Sequence, residues 1–83
     1  MVIRDVVAVH PLDAFRLKVR FDDDVEGEFD VAAGVGFDGV FAPLKDPAYF
    51  ARVRVDPELG TVVWPNGADL DPIVLYSVIT ARR

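Results

Sequence analysis

The residues able to do chemistry are few and poorly spaced for it. The acidic run Asp22-Asp23-Asp24-Val25-Glu26-Gly27-Glu28 invites a calcium reading, since clustered carboxylates suit a hard cation. A calcium loop alternates its ligands along a tight turn and closes on a glutamate, and that template is missing here. Asp69 and Asp71 offer a carboxylate pair for acid–base work, but Asp71 precedes Pro72 where a helix cap belongs, and no sugar-binding groove is suggested. His10, the one histidine, stands before Pro11 without a nucleophile and reads as a turn residue. Ser77 falls inside a helix rather than on a strained elbow. Gly34-Val35-Gly36 followed by Gly39 departs from phosphate-binding spacing. The chain has no cysteine, which excludes disulfides and thiolate metal sites. The expectation is a protein with no catalytic residue, no metal site and no cofactor.

The stretch least like chance is Trp64-Pro65-Asn66-Gly67-Ala68-Asp69-Leu70-Asp71-Pro72, running into Leu75-Tyr76. It joins a large aromatic, a turn dipeptide and a helix start. Trp64 admits two readings: a strand-end aromatic that roofs the core, or an exposed anchor for a protein partner. In the second, Asn66 and Asp69 are flanking polar contacts, and the candidate interaction residues are Trp64, Asn66, Asp69 and Tyr76. A rival reading places a small ligand or substrate in a pocket around Trp64, Asn66 and Asp69. A deep cavity at that corner would favour it, and a filled corner would oppose it.

Elements to position these residues follow from the alternation of apolar and charged positions. Val6 to Val9 reads as a first strand stopped by His10-Pro11. Phe15, Leu17, Val19 and Phe21 alternate with Arg16, Lys18 and Arg20, the period of a half-buried strand; Val25, Gly27, Phe29 and Val31 alternate with Glu26, Glu28 and Asp30. A three-residue turn about Asp23 sets Arg20 against Glu26, Lys18 against Glu28 and Arg16 against Asp30, so every outward pair is opposite in sign. Gly34, Gly36 and Gly39 mark an irregular connection from which Phe41 and Leu44 dip into the core. Asp46-Pro47 starts a short helix. Arg52 to Val55 and Thr61 to Trp64 read as strands around the Asp56–Gly60 turn. Asn66-Gly67 turns, and Asp71-Pro72 starts a last helix from Ile73 to Thr80, apolar on nearly all sides and so expected to be buried on most of them. The fold class is α+β: a small, mainly antiparallel sheet of about five strands with two short helices, the second C-terminal.

At 83 residues the chain is one domain, 1–83, near the lower limit of what folds without staples. Yet 52% of it is hydrophobic and its mean hydropathy is +0.26, rich for a domain whose large surface needs polar cover. Some apolar surface is therefore expected to be covered by a protein partner or by a second copy, as a homo-oligomer such as a dimer. No uncharged apolar run is long enough to span a bilayer, and Met1-Val2-Ile3-Arg4-Asp5 puts charges where a signal peptide needs its apolar region, which leaves a cytoplasmic location. A net charge of −5 and a pI near 4.6 disfavour nucleic-acid binding and suit a basic protein partner.

The blocks Gly39-Val40-Phe41-Ala42-Pro43-Leu44-Lys45-Asp46, Tyr49-Phe50, Val53-Arg54-Val55-Asp56 and Trp64 to Leu70, with the Phe15–Val31 hairpin and Leu75-Tyr76, carry a resemblance over nearly the whole length. The chain resembles the bacterial family known only as domain of unknown function 2442. It departs from the family at the hairpin tip, where a glycine is usual and Asp23-Asp24 stands. The resemblance implies a small α+β fold and supplies no catalytic residues. It also implies a regulatory association: some relatives are fused to a C-terminal helix-turn-helix domain, and many are encoded beside another small protein, as toxin–antitoxin pairs are. With the sequence ending at Arg83, no room is left for such a DNA-binding domain, and the interaction part alone is expected. The resulting expectation is a non-catalytic interaction module, antitoxin-like or regulatory.

Overall fold

The computed structural model describes residues 4–81, so the expectations for residues 1–3 and for Arg82-Arg83 lie outside the described residues. Three strands, β1 (Val6–Leu12), β2 (Arg16–Phe21) and β3 (Glu26–Asp30), pair antiparallel in the order β1-β2-β3. Arg20 faces Glu26, Lys18 faces Glu28 and Arg16 faces Asp30, the register that the charges require. The turn spans Asp22, Asp23 and Asp24: the Asp24 amide donates to the Phe21 carbonyl at 3.0 Å, and the Phe21 amide to the Val25 carbonyl at 2.8 Å. Leu17, Val19, Phe21 and Phe29 all go to the buried face.

The side chains on the outer face close one step off that register. Arg16 meets Glu28 at 2.6 Å and Lys18 meets Glu26 at 2.9 Å. Asp30 explains the shift. Its carboxylate accepts from the Ala33 amide at 3.1 Å and caps a short helix, α1 (Val31–Gly34). With Asp30 engaged there, Arg16 turns to its diagonal neighbour, which long side chains reach easily.

Two strand expectations need correction. β1 does not stop at His10-Pro11 but runs to Leu12, with Pro11 opposite Leu17. β1 is an edge strand of its sheet, where a missing amide donor is tolerated. Phe15 is not the first inward residue of β2. It lies in the connecting turn Asp13–Phe15, where Ala14 and Phe15 both take the left-handed conformation at φ 59°. That turn swings the Phe15 ring edge-on to Phe37 at 5.0 Å and to Phe50 at 5.4 Å.

The remaining strands, β4 (Arg54–Asp56) and β5 (Thr61–Val63), form their own antiparallel pair. The five antiparallel strands are thus divided between two sheets within an α+β fold. The far edge of β5 is taken by the chain itself, through a bridge from Val63 to Asp69 and a bond from the Leu70 amide to the Val62 carbonyl at 3.3 Å. The sheets meet where the Val6 amide donates to the Gly60 carbonyl at 2.9 Å.

Both expected helix starts are present. Asp46 accepts from the Ala48 amide at 2.9 Å ahead of α2 (Pro47–Phe50), and Asp71 from the Ile73 amide at 2.8 Å ahead of α3 (Pro72–Ala81). Leu44 is buried and Phe41 half-buried in the irregular Gly39–Lys45 segment. α3 lies against β3, and its cover is thinner than its composition leads one to expect. Leu75 and Ile79 are buried and Tyr76 and Val78 half-buried, but Ile73 is 37% and Val74 49% exposed. No helix among the described residues is long and apolar enough to cross a membrane.

Candidate functional site

The block from Trp64 to Leu70 folds back on β5. A β-turn with Pro65 in its second position closes through the Gly67 amide on the Trp64 carbonyl at 3.0 Å, and the Trp64 amide then donates to the Ala68 carbonyl at 2.8 Å. Beneath it the buried Thr61 hydroxyl donates to the Leu70 carbonyl at 2.6 Å, so this buried polar side chain is satisfied. Asn66 uses both ends of its amide: Oδ1 accepts from the Ala68 amide at 3.1 Å, and Nδ2 donates to the Val40 carbonyl at 2.8 Å. That second bond ties the Gly39–Lys45 segment to the turn.

Trp64 is 1% exposed, and its indole Nε1 donates to the Phe50 carbonyl at 3.0 Å. The core reading of this residue is the right one, and the exposed-anchor reading is corrected. Its ring is packed against Phe50, centroids 5.9 Å apart, continuing the aromatic row from Phe37 and Phe15. The indole fills the corner where the rival reading placed a ligand.

Tyr76 belongs to a different place. Its ring stands edge-on to Phe21 at 5.0 Å, and its hydroxyl donates to Asp23 Oδ2 at 2.7 Å. Arg4 reaches the same oxygen at 3.5 Å. The Tyr76 hydrogen bond holds the Asp23 carboxyl below its ordinary pKa, and the Asp23 carboxylate in turn holds the Tyr76 phenol above its own. This contact clamps the hairpin tip to α3. It gives Asp23 a structural task at the hairpin tip.

Asp69 is exposed and borders a groove of about 310 Å³ between α3 and the segments after β3. Phe29, Phe41, Leu70 and Leu75 form its apolar bed, the exposed Val35 and Val74 stand on it, and Asp69 and Asp71 supply its charge. Of the four candidate residues only Asp69 lines this groove; Trp64 and Asn66 hold the fold and Tyr76 holds the hairpin. Val35, Phe41 and Val74 are the residues the sequence reading missed. The signal for Val74 was present in the all-round apolar character of α3. A larger hollow of about 370 Å³ lies at the Ala14 turn between Leu12, Phe15, Pro47 and Phe50. Neither lining holds a paired nucleophile and base, and both linings are mostly apolar.

A family model described as "Protein of unknown function (DUF2442)" matches residues 6–81. No curated protein matches the chain. No solved structure matches it either.

Proposed function

The chain belongs to the DUF2442 family, and from that premise we propose that it is a non-catalytic protein-interaction module, the antitoxin-like or regulatory half of a small two-protein system. One observation carries the reading. α3 is apolar on nearly every side, yet the folded chain covers only part of it and leaves Ile73 and Val74 in water. A short helix of that composition gains stability only by burial, so its uncovered side suits a second surface. The net charge of −5 favours a basic partner. The antitoxin-like assignment rests further on the pairing of such genes with another small protein in the family the chain belongs to.

Affinity capture of the tagged protein from the cells that produce it, followed by light scattering of the product, tests the proposal. A stoichiometric small basic protein is the expected result. Recovery of a bare monomer at native expression levels overturns it.

A further inference from the structure

We infer that the groove beside α3 receives an apolar side chain from a cationic segment of a second protein, an inference that rests on the interaction reading above and gives it a location. Two observations converge on that surface. The bed is the half-buried Phe41 over the buried Phe29, Leu70 and Leu75, beside a space large enough for one or two side chains. Of the six large apolar side chains exposed among the described residues, Val35 and Val74 line the groove, and Val40 and Ile73 adjoin the lining residues Phe41 and Val74 in sequence. Val35 and Val74 thus bring two of these six exposed side chains to one site.

Charge decides the occupant. Asp69 and Asp71 line the groove and no lysine or arginine does. Asp71 is engaged at the end of α3, where it caps the helix and is balanced by the helix dipole. Asp69 is exposed and forms no ion pair among the described residues, so its charge is free to meet a cation. A second copy of this chain fits poorly. An isologous interface lays the same patch on itself, and here that sets aspartate near aspartate with no cation in the lining to offset them. The complementary partner carries a leucine, phenylalanine or similar side chain with a lysine or arginine about one helical turn away.

Selection of random dodecapeptides displayed on phage against the intact protein tests this directly. Enriched peptides are expected to combine a large apolar residue with a nearby basic one. Their affinity is expected to fall about tenfold or more for Val74→Ser, which removes exposed apolar surface, and roughly threefold for Asp69→Asn at low salt, with the second difference vanishing at high salt. Both side chains are exposed, and matching thermal melts verify that the variants fold. Peptides without basic residues, equal binding to Val74→Ser and the parent, or no enrichment overturn the inference. So does a dimer in sedimentation equilibrium that Val74→Ser dissociates, which assigns the groove to a second copy. A native partner captured equally by Val74→Ser and the parent leaves the interaction module standing and removes this groove from it.

Discussion

Gly27 and Ile79 set the distance between the first sheet and the last helix. A Cβ placed on Gly27 would stand 2.5 Å from Ile79 Cγ2, closer than carbon atoms approach. The position faces Val19 across the sheet, and the missing side chain is the space that Ile79 fills. Gly27→Ala should therefore destabilise the domain by about 1–3 kcal/mol, as overpacking does. Urea denaturation of Gly27→Ala in the parent and in an Ile79→Ala background checks the cause: the alanine should cost clearly less where Ile79 has been shortened. Equal costs would place the strain elsewhere.

Ala14 gives a prediction of opposite sign. Its φ of 59° is unfavourable for any residue with a Cβ, and its side chain is exposed and packs on little. Ala14→Gly should raise stability by about 0.5–1 kcal/mol, since relief of the left-handed strain exceeds the added freedom of the unfolded chain. A fall in melting temperature would mean that the strain is smaller than the geometry implies. Phe15, at the same φ, cannot be relieved this way, because its ring holds Phe37 and Phe50.

Trp64 should behave as a core residue in every assay. Trp64→Ala is expected to cost about 3–5 kcal/mol, from the lost volume and from the lost indole hydrogen bond to the Phe50 carbonyl. Any binding activity should disappear together with the folded state, in contrast to Val74→Ser. A Trp64→Ala protein with an unchanged melting temperature would contradict the burial of the indole.

The Asp23–Tyr76 contact predicts how stability responds to pH at both ends. Asp23 has its folded pKa depressed, so the stabilisation is present above the ordinary carboxylate range and is lost as pH falls through the lowered value. Tyr76 has its folded pKa raised, so its share is present below the ordinary tyrosine value and is lost as pH rises through the higher one. Tyr76→Phe should flatten both limbs. Urea midpoints measured from about pH 2 to 5 and above about pH 10 read the difference. An acid limb as steep in Tyr76→Phe as in the parent would assign it to other carboxylates.

What the sequence determined by itself were the interactions that act between near neighbours along the chain or across one hairpin. The alternation of Arg16, Lys18 and Arg20 against Glu26, Glu28 and Asp30 set the register, because a slip of one residue would exchange the buried and solvated faces. The Asp46-Pro47 and Asp71-Pro72 pairs located two helix starts, since a cap and its amide lie within three residues. The absence of α1 from that reading has the same origin in reverse: Asp30 served equally well as a strand charge and as a cap, and only the fold chose. The tertiary structure alone decided everything that depends on distant segments meeting. Whether Trp64 was core or anchor turned on Phe50 arriving with a carbonyl to accept the indole N–H. The groove likewise exists because α3 docks at Gly27 with Leu75 and Ile79 inward, which leaves Val74 in the open beside Val35 and Phe41. An all-round apolar helix states that burial is needed; the packing states which side the chain itself leaves uncovered.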